Sequence, residues 1–280
     1  MLEKIFEAYR PIPSYPTYPP YHTGLYLEDY FYRWYYKNNV ETQRTLIPVS
    51  WTTCYIENKD SGLQEVLDKL DQSKKYFTVC QFDDGIKQVL PKDTIQFNAG
   101  GNSGGIPIPL ICSKIPPKDI EKFKSEKTKL CSFVGSITHP IRNAMYSEFI
   151  DKANCEIFVK RWDASVKENE YEAYLSSALR SKFLLCPRGY GLNSFRLYEA
   201  FQLGCVPVVI SDKLFLPWQD TLDWSDFSVV VNNCENLYFN LENISDKCYN
   251  SMLKVGQELF EKYFSLQGVC KQVVRIGDSI

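Results

Sequence analysis

Residues 182–210 read KFLLCPRGYGLNSFRLYEAFQLGCVPVVI. One apolar run closes at Cys186 and Pro187, and another opens at Val206. Between them Leu197, Ala200 and Phe201 recur at the spacing of one helix face, and Gly204 stands where a C′ residue would end that helix. Strand, loop, helix, turn and strand form the repeating unit of a parallel sheet. In such a sheet ligands gather beyond the carboxyl ends of the strands. This stretch delivers Arg188, Gly189, Gly191, Asn193, Ser194, Arg196 and Glu199 to that edge.

The alternation continues outward. Upstream lie the strand LCSFVGS (130–136), the helix PIRNAMYSEFID (140–151), the strand CEIFVK (155–160) and the helix NEYEAYLSSALR (169–180). Downstream, FSVVV (227–231) reads as a strand and residues 244–264 as a long helix. Nearer the N-terminus, spacing predicts a helix from Tyr26 to Tyr36, strands at RTLIPVSWT (44–52) and KYFTVCQ (75–81), and a helix at SGLQEVLDKLD (61–71). IPIPLIC (106–112) reads as an extended segment that its prolines keep near a sheet edge. Residues 113–129, charged and containing Pro-Pro, are the natural linker, part of which can be a short helix. The expected class is α/β, with two layers facing across a cleft. The expected domains are 1–125 and 126–265, with a tail, 266–280, crossing back to the first.

Composition narrows the function. At 280 residues, with 44% hydrophobic and 24% charged, the chain can bury a substantial core. A net charge of −2 gives no support to nonspecific nucleic-acid or anionic-membrane binding. No apolar run approaches the roughly 18 residues of a bilayer span, so no membrane insertion is expected. The N-terminal residues carry acids and prolines in place of the apolar block of a secretion signal, which points to the cytoplasm. The 10 cysteines lie singly, with no CxxC pair, and read as small buried hydrophobes in a reducing compartment. With 2 histidines in the chain, a structural zinc site is not expected.

At the sheet edge, Asn193 or Ser194 can cap the helix, whose free N–H groups and positive dipole end favour an anion. Gly189 and Gly191 permit close backbone approach and positive φ. Arg196 and Glu199, three apart, share one helix face. A guanidinium fork matches phosphate oxygens, and a carboxylate one turn away can accept from a ribose diol. The constellation therefore reads as a nucleoside-diphosphate site. An Arg–Glu helix salt bridge beside a structural turn is the competing reading.

The block FLLCPRGYGLNSFRLYEAFQLGCVPVVISD, followed by LPW and LDWSDFSVVV, resembles the signature of exostosin-like glycosyltransferases, family 47. LCSFVGSITHPIRNAMYSEF is similar to the family's upstream strand–Gly–helix segment, and YPPYHTGLYLEDYF, LIPVSWT and YFTVCQFDDGI to its N-terminal half. In size and style the chain is similar to the compact members of that family in large algal viruses. The resemblance implies a GT-B architecture, two Rossmann-like domains with the sugar nucleotide held mainly by the second. It also implies inversion at the anomeric carbon. Arg188, Ser194, Arg196 and Glu199 match the family's PRG…S-x-R-x-x-E-A positions, with Glu199 on the ribose and the arginines on the diphosphate. Gly135 and Arg142 match its earlier Gly…Arg positions.

A displacement of this kind must stabilise the departing diphosphate and take a proton from the acceptor hydroxyl. With no Asp-x-Asp signature in a donor-site context, arginines and a helix terminus are expected to do the first without a metal or other cofactor. For the second, QFDDGI puts Asp83 and Asp84 directly after a strand. Asp83 falls on the family aspartate, while Phe82 stands where the family often has histidine. Asp83 is the first choice as base, with Asp84 and His22 as alternatives, and a solvated Asp-Asp-Gly turn is the structural reading of the same residues. Arg161 and Trp162, after CEIFVK, reach another strand end, and Arg161 is a further candidate contact to phosphate or sugar. NAGGNSGGIP (98–107) lacks the Gly-Lys-Ser/Thr of a nucleotide-triphosphate loop and suits a mobile loop at the cleft. No GxGxxG follows a strand, against a dinucleotide oxidoreductase.

The expected partners are a UDP-sugar and a glycan or glycoprotein acceptor. From the resemblance, the sugar is a pentose such as xylose, the glycan a viral capsid N-glycan, and the place of action host cytoplasm. The alternative is a non-catalytic glycan- or nucleotide-sugar-binding protein that keeps the fold, to which the Phe82 departure gives weight.

Overall fold

The structure, a computed structural model, describes residues 2–14, 18–21 and 26–280. Two parallel sheets organise it. The first has the order β1–β2–β3–β4, built from Thr45–Leu46, Tyr76–Cys80, Ile95–Asn98 and Ile106–Pro107. The second runs β6–β5–β7–β8–β9, with β5 at Lys129–Gly135, β6 at Cys155–Val159, β7 at Ser181–Pro187, β8 at Val206–Ile210 and β9 at Val229–Val231. Within both sheets the strands pair in parallel, Cys186 of β7, for instance, lying opposite Val209 of β8, and one isolated antiparallel bridge joins Tyr26 to Cys112. Helices link the strands from β4 through β8 and join β1 to β2, while β2, β3 and β4 follow one another through loops; this is the two-layered α/β arrangement expected, with two Rossmann-like units facing across a cleft.

Strands covered on both faces read as unbroken apolar runs, and β2 and β8 are buried at every residue. A central core joins the two halves: Phe77 and Phe97 of the first sheet, Leu184 and Cys186 of β7, Phe201, Phe264 and Val273 form one continuous cluster. Phe133, Leu185 and Val208 pack beneath the second sheet. Trp51, Leu63 and Tyr76 pack beneath the first. The C-terminal helix Leu266–Gly277 lies against the helix Leu27–Lys37, and past its end the Gln43 N–H donates to Asp278 Oδ1 at 2.9 Å. All ten cysteines are free, and eight of them are buried.

Departures from the expected elements have local causes. Only Thr45–Leu46 of RTLIPVSWT pairs as strand, because Trp51 begins a helix running to Ile56. Ile106–Pro107 is an edge strand, where proline's missing N–H does no harm. The segment 113–129 contains the helix Pro117–Phe123. The long C-terminal helix is interrupted: Asp246–Leu259 passes into one wide turn, Phe260–Phe264, and Ser265 caps the next helix through the Gly268 N–H at 3.0 Å. Among the described residues no helix is long and apolar enough to cross a membrane.

Candidate active site

A cleft of about 740 Å³ opens between the two sheets, beyond the carboxyl ends of β2, β5 and β7. From the first half Thr52, Gln81, Phe82 and Asp83 line it; from the second come Gly135, Arg142, Gly189, Asn193, Ser194, Arg196 and Glu199. That volume is in the range of small-molecule sites.

Two guanidinium groups form its floor. Arg142, 7% exposed, donates from Nε to the Arg188 carbonyl at 2.9 Å, from Nη1 to Ser136 at 2.8 Å and from Nη2 to Pro187 at 3.2 Å. Arg196 donates from Nη2 to the Val134 carbonyl at 2.6 Å and lies over the Phe133 ring, 5.0 Å from its centre. Its buried Nε has no partner among the described residues. Burial and the neighbouring Arg196 pull Arg142 down to about 9. Among the described residues neither arginine has an acid within ion-pair distance, so Arg196 and Glu199 do not form the helix salt bridge that their spacing allows.

The glycines explain how the guanidinium groups fit. A Cβ on Gly135 would stand 2.5 Å from Arg196 Nη2, and one on Gly189 3.0 Å from Arg142 Nη2. Gly191 is pressed by the Asp83 carboxylate, 2.3 Å from where its Cβ would be. Close approach is thus their role; positive φ occurs instead at Gly101, Gly104, Gly105 and, ending the site helix, Gly204.

The helix Phe195–Gln202 points its N-terminus at the cleft. Ser194 occupies the N-cap, yet its hydroxyl makes no capping bond; Asn193 Oδ1 instead accepts the Ser194 N–H at 2.9 Å and the Tyr198 hydroxyl at 3.2 Å. One turn in, Glu199 is 5% exposed and held by two phenols: the Tyr21 hydroxyl donates to Oε1 at 2.6 Å, and the Tyr174 hydroxyl to Oε2. Burial raises the Glu199 carboxyl, against the pull of both phenols and Arg196.

Asp83, just past β2, lines the same cavity as Arg142 and Arg196. Its side chain accepts no hydrogen bond from the described residues, and burial, with the neighbouring Asp84, lifts it to about 6 against the attraction of Arg188. Asp84 is exposed and turned away, accepting the Tyr190 hydroxyl at 2.9 Å and the Asn102 amide at 3.0 Å. It ties the halves together and does not line the cavity. Arg188 also departs from expectation: its Nη1 binds Asp212 at 3.0 Å and its Nη2 the Tyr190 carbonyl at 3.0 Å, so it braces the loop and does not line the cleft. Arg161 is exposed and outside the lining; from that strand end Lys160, paired with Glu170 at 2.7 Å, and Trp162, 61% exposed, reach the cavity instead. His22 lies outside the described residues. The glycine-rich loop is docked between the halves, with Gly100 O accepting the Leu192 N–H at 2.8 Å, and it leaves the cavity wall to others. Tyr21 and Tyr174 went unrecognised individually in the sequence, because nothing in their spacing tells a phenol over a carboxylate from a core ring.

The Exostosin GT47 domain matches residues 69–244. An Exostosin-1 homolog of Caenorhabditis elegans is 36% identical over 110 residues, 38% of this chain and 28% of that protein. A probable glucuronoxylan glucuronosyltransferase of Arabidopsis thaliana is 36% identical over 141 residues, 50% of this chain and 29% of that protein. The chain thus aligns with less than a third of the length of either relative. Among solved structures, a sucrose-phosphate synthase from Thermosynechococcus elongatus aligns with a TM-score of 0.45 and 10% identity, over 90% of this chain and 71% of that one.

Proposed function

The chain belongs to the exostosin GT47 family, and from that premise we propose that it is an inverting, metal-independent glycosyltransferase using a UDP-sugar. One observation carries the reading: buried Arg142 and half-buried Arg196 lie beside each other at the cleft, with no carboxylate within ion-pair distance among the described residues and only the longer-range field of Glu199 on Arg196. Burying a cation without a partner is costly, and a bound diphosphate supplies the missing charge. The free N–H groups of the helix Phe195–Gln202 add to the same pole.

Glu199 then receives the ribose hydroxyls, its orientation preset by Tyr21 and Tyr174. An acceptor hydroxyl oxygen attacks the anomeric carbon as the bond to the diphosphate oxygen breaks. Asp83 takes the acceptor's proton, and the two guanidinium groups hold the charge left on UDP. Fixed donors of this kind cost no reorganisation at the moment of reaction. Xylose as the sugar and a glycan hydroxyl as the acceptor complete the reading, both taken from family resemblance.

The test is UDP release from individual UDP-sugars with and without EDTA, and the anomeric configuration of the product by NMR. Release undiminished by EDTA, with inversion, is expected. A requirement for magnesium or manganese, or a retained configuration, overturns the arginine-based displacement.

A further inference from the structure

The first half of the cleft contains a buried acid that the reaction above leaves unused. Glu28, in the opening turn of the helix Leu27–Lys37, is 3% exposed. Its carboxylate accepts the Gln81 N–H just past β2, and the Thr52 N–H at 3.0 Å in the first turn of the helix Trp51–Ile56. The Thr52 hydroxyl lies 2.9 Å from Glu28 Oε1. Thr52 and Gln81 line the cavity as Asp83 does, whereas Glu28 stands behind them. The acid is therefore bonded to two residues of the cavity wall, and Thr52 Oγ1 is the one side-chain hydroxyl between them.

We propose that Glu28 is a positioning residue that sets the direction of the Thr52 hydroxyl, and that Thr52 recognises a second hydroxyl of the acceptor sugar with a polarity governed by Glu28's protonation. An ionised carboxylate can only accept. The Thr52 proton is then committed to Glu28, and its oxygen offers the cavity lone pairs alone, suited to an acceptor hydroxyl that donates. A protonated Glu28 can donate to Thr52 Oγ1, which turns the threonine proton outward and reverses the match.

The surroundings place this switch in an accessible pH range. Burial pushes Glu28 up to about 8, with Asp29 adding to the rise and the bonds from Gln81 and Thr52 opposing it. Facing it are Cys54 and Tyr55 of the Trp51–Ile56 helix and Cys80 of β2, all pushed upward by burial and so neutral there. Asp29 is held by the Ser50 hydroxyl at 2.7 Å and lies in the field of Arg33. No cation among the described residues is paired with Glu28.

The inference rests on the glycosyltransferase reading, and its test separates the two. Thr52→Val keeps the side-chain shape and removes the hydroxyl. With UDP-xylose as donor and methyl xyloside, galactoside, glucoside and fucoside as acceptors, it should raise the acceptor KM about tenfold, the upper range for one neutral hydrogen bond. UDP affinity by calorimetry should not move. Between about pH 7.5 and 9 the parent's acceptor KM should vary and the variant's should not. Independently of any acceptor, 13C-glutamate NMR should show one carboxyl titrating near pH 8 in the parent. That signal should be absent in Glu28→Gln and shifted upward in Thr52→Val, where the ionised carboxylate has lost a donor. An unshifted signal, an unchanged acceptor KM, or a dependence of acceptor KM on pH above about 7.5, beyond the Asp83 limb, that survives Thr52→Val overturns the proposal while leaving the donor site untouched. A parent that binds no UDP overturns the catalytic reading and this one with it.

Discussion

Arg196→Met tests the site most directly, because it removes one guanidinium and leaves an unbranched apolar chain over Phe133. In the parent, Nη2 is anchored on the Val134 carbonyl at 2.6 Å, so the group is already aimed before ligand arrives. A hydrogen bond to a charged group contributes about 1.5–3 kcal/mol, which sets a loss of about 10- to 150-fold in UDP affinity. Removing one preorganised donor from the charge that grows on the leaving group costs about 2.7–4 kcal/mol. That converts to a kcat/KM lower by about 100- to 1,000-fold. Stability moves less. Val134 O loses its donor, worth about 1–3 kcal/mol, while Arg142 is freed from a like charge, and the two effects oppose. Calorimetric titration with UDP, UMP and uridine, alongside a melting curve, separates the contributions. Uridine should bind both proteins equally, and the deficit should grow with phosphate number. UDP binding within about twofold of the parent, or a deficit as large for uridine as for UDP, would falsify the placement of Arg196 on the diphosphate.

Asp83 is expected to give kcat/KM an acid limb centred near pH 6, and Asp83→Asn should abolish that limb and lower kcat by about 10²–10⁴-fold with UDP affinity intact. The sign of the stability effect follows from the same upward shift. The fold holds the protonated form more readily than the unfolded chain does, so this contribution is complete below about pH 4 and lost as pH rises through the folded value of about 6. Asp83→Asn should therefore raise the melting temperature above pH 6 and leave it unchanged in acid. Gly135→Ala places a methyl 2.5 Å from Arg196 Nη2, so it should weaken UDP binding about as much as Arg196→Met does; parental affinity would mean the guanidinium can move freely. Glu199→Gln should weaken UDP about tenfold, as expected for one charged acceptor, but leave 2′,3′-dideoxy-UDP unaffected, and equal losses for both would remove Glu199 from the ribose.

Much of the fold was legible because its signals are local. The runs that became β2, β5, β6, β7 and β8 are apolar through several consecutive residues, and the intervening stretches carry helical spacing. The first half was harder. Trp51–Ile56, rich in residues that favour strands, is a helix whose first-turn Thr52 N–H is met by Glu28 from another helix. No window of sequence contains that contact. β3, at Ile95–Asn98, is short and only half buried, and its period is too brief to stand out.

The site divides along the same line. Sequence spacing by itself determined that Arg196 and Glu199 share a helix face at the carboxyl end of a buried strand, and that Asp83 follows another. Gly135 and Arg142 stood out only through family resemblance. Tertiary structure decided which charged groups face the cleft: Arg188, in the most conspicuous motif, turns to Asp212, while Arg142 reaches the cavity from a different helix. It also parted Arg196 from Glu199, giving one a strand carbonyl and the other two phenols. The reason is physical. Periodicity fixes which residues lie on the same side of an element, whereas burial and the choice of charge partner arise from groups distant in the chain that only folding brings together.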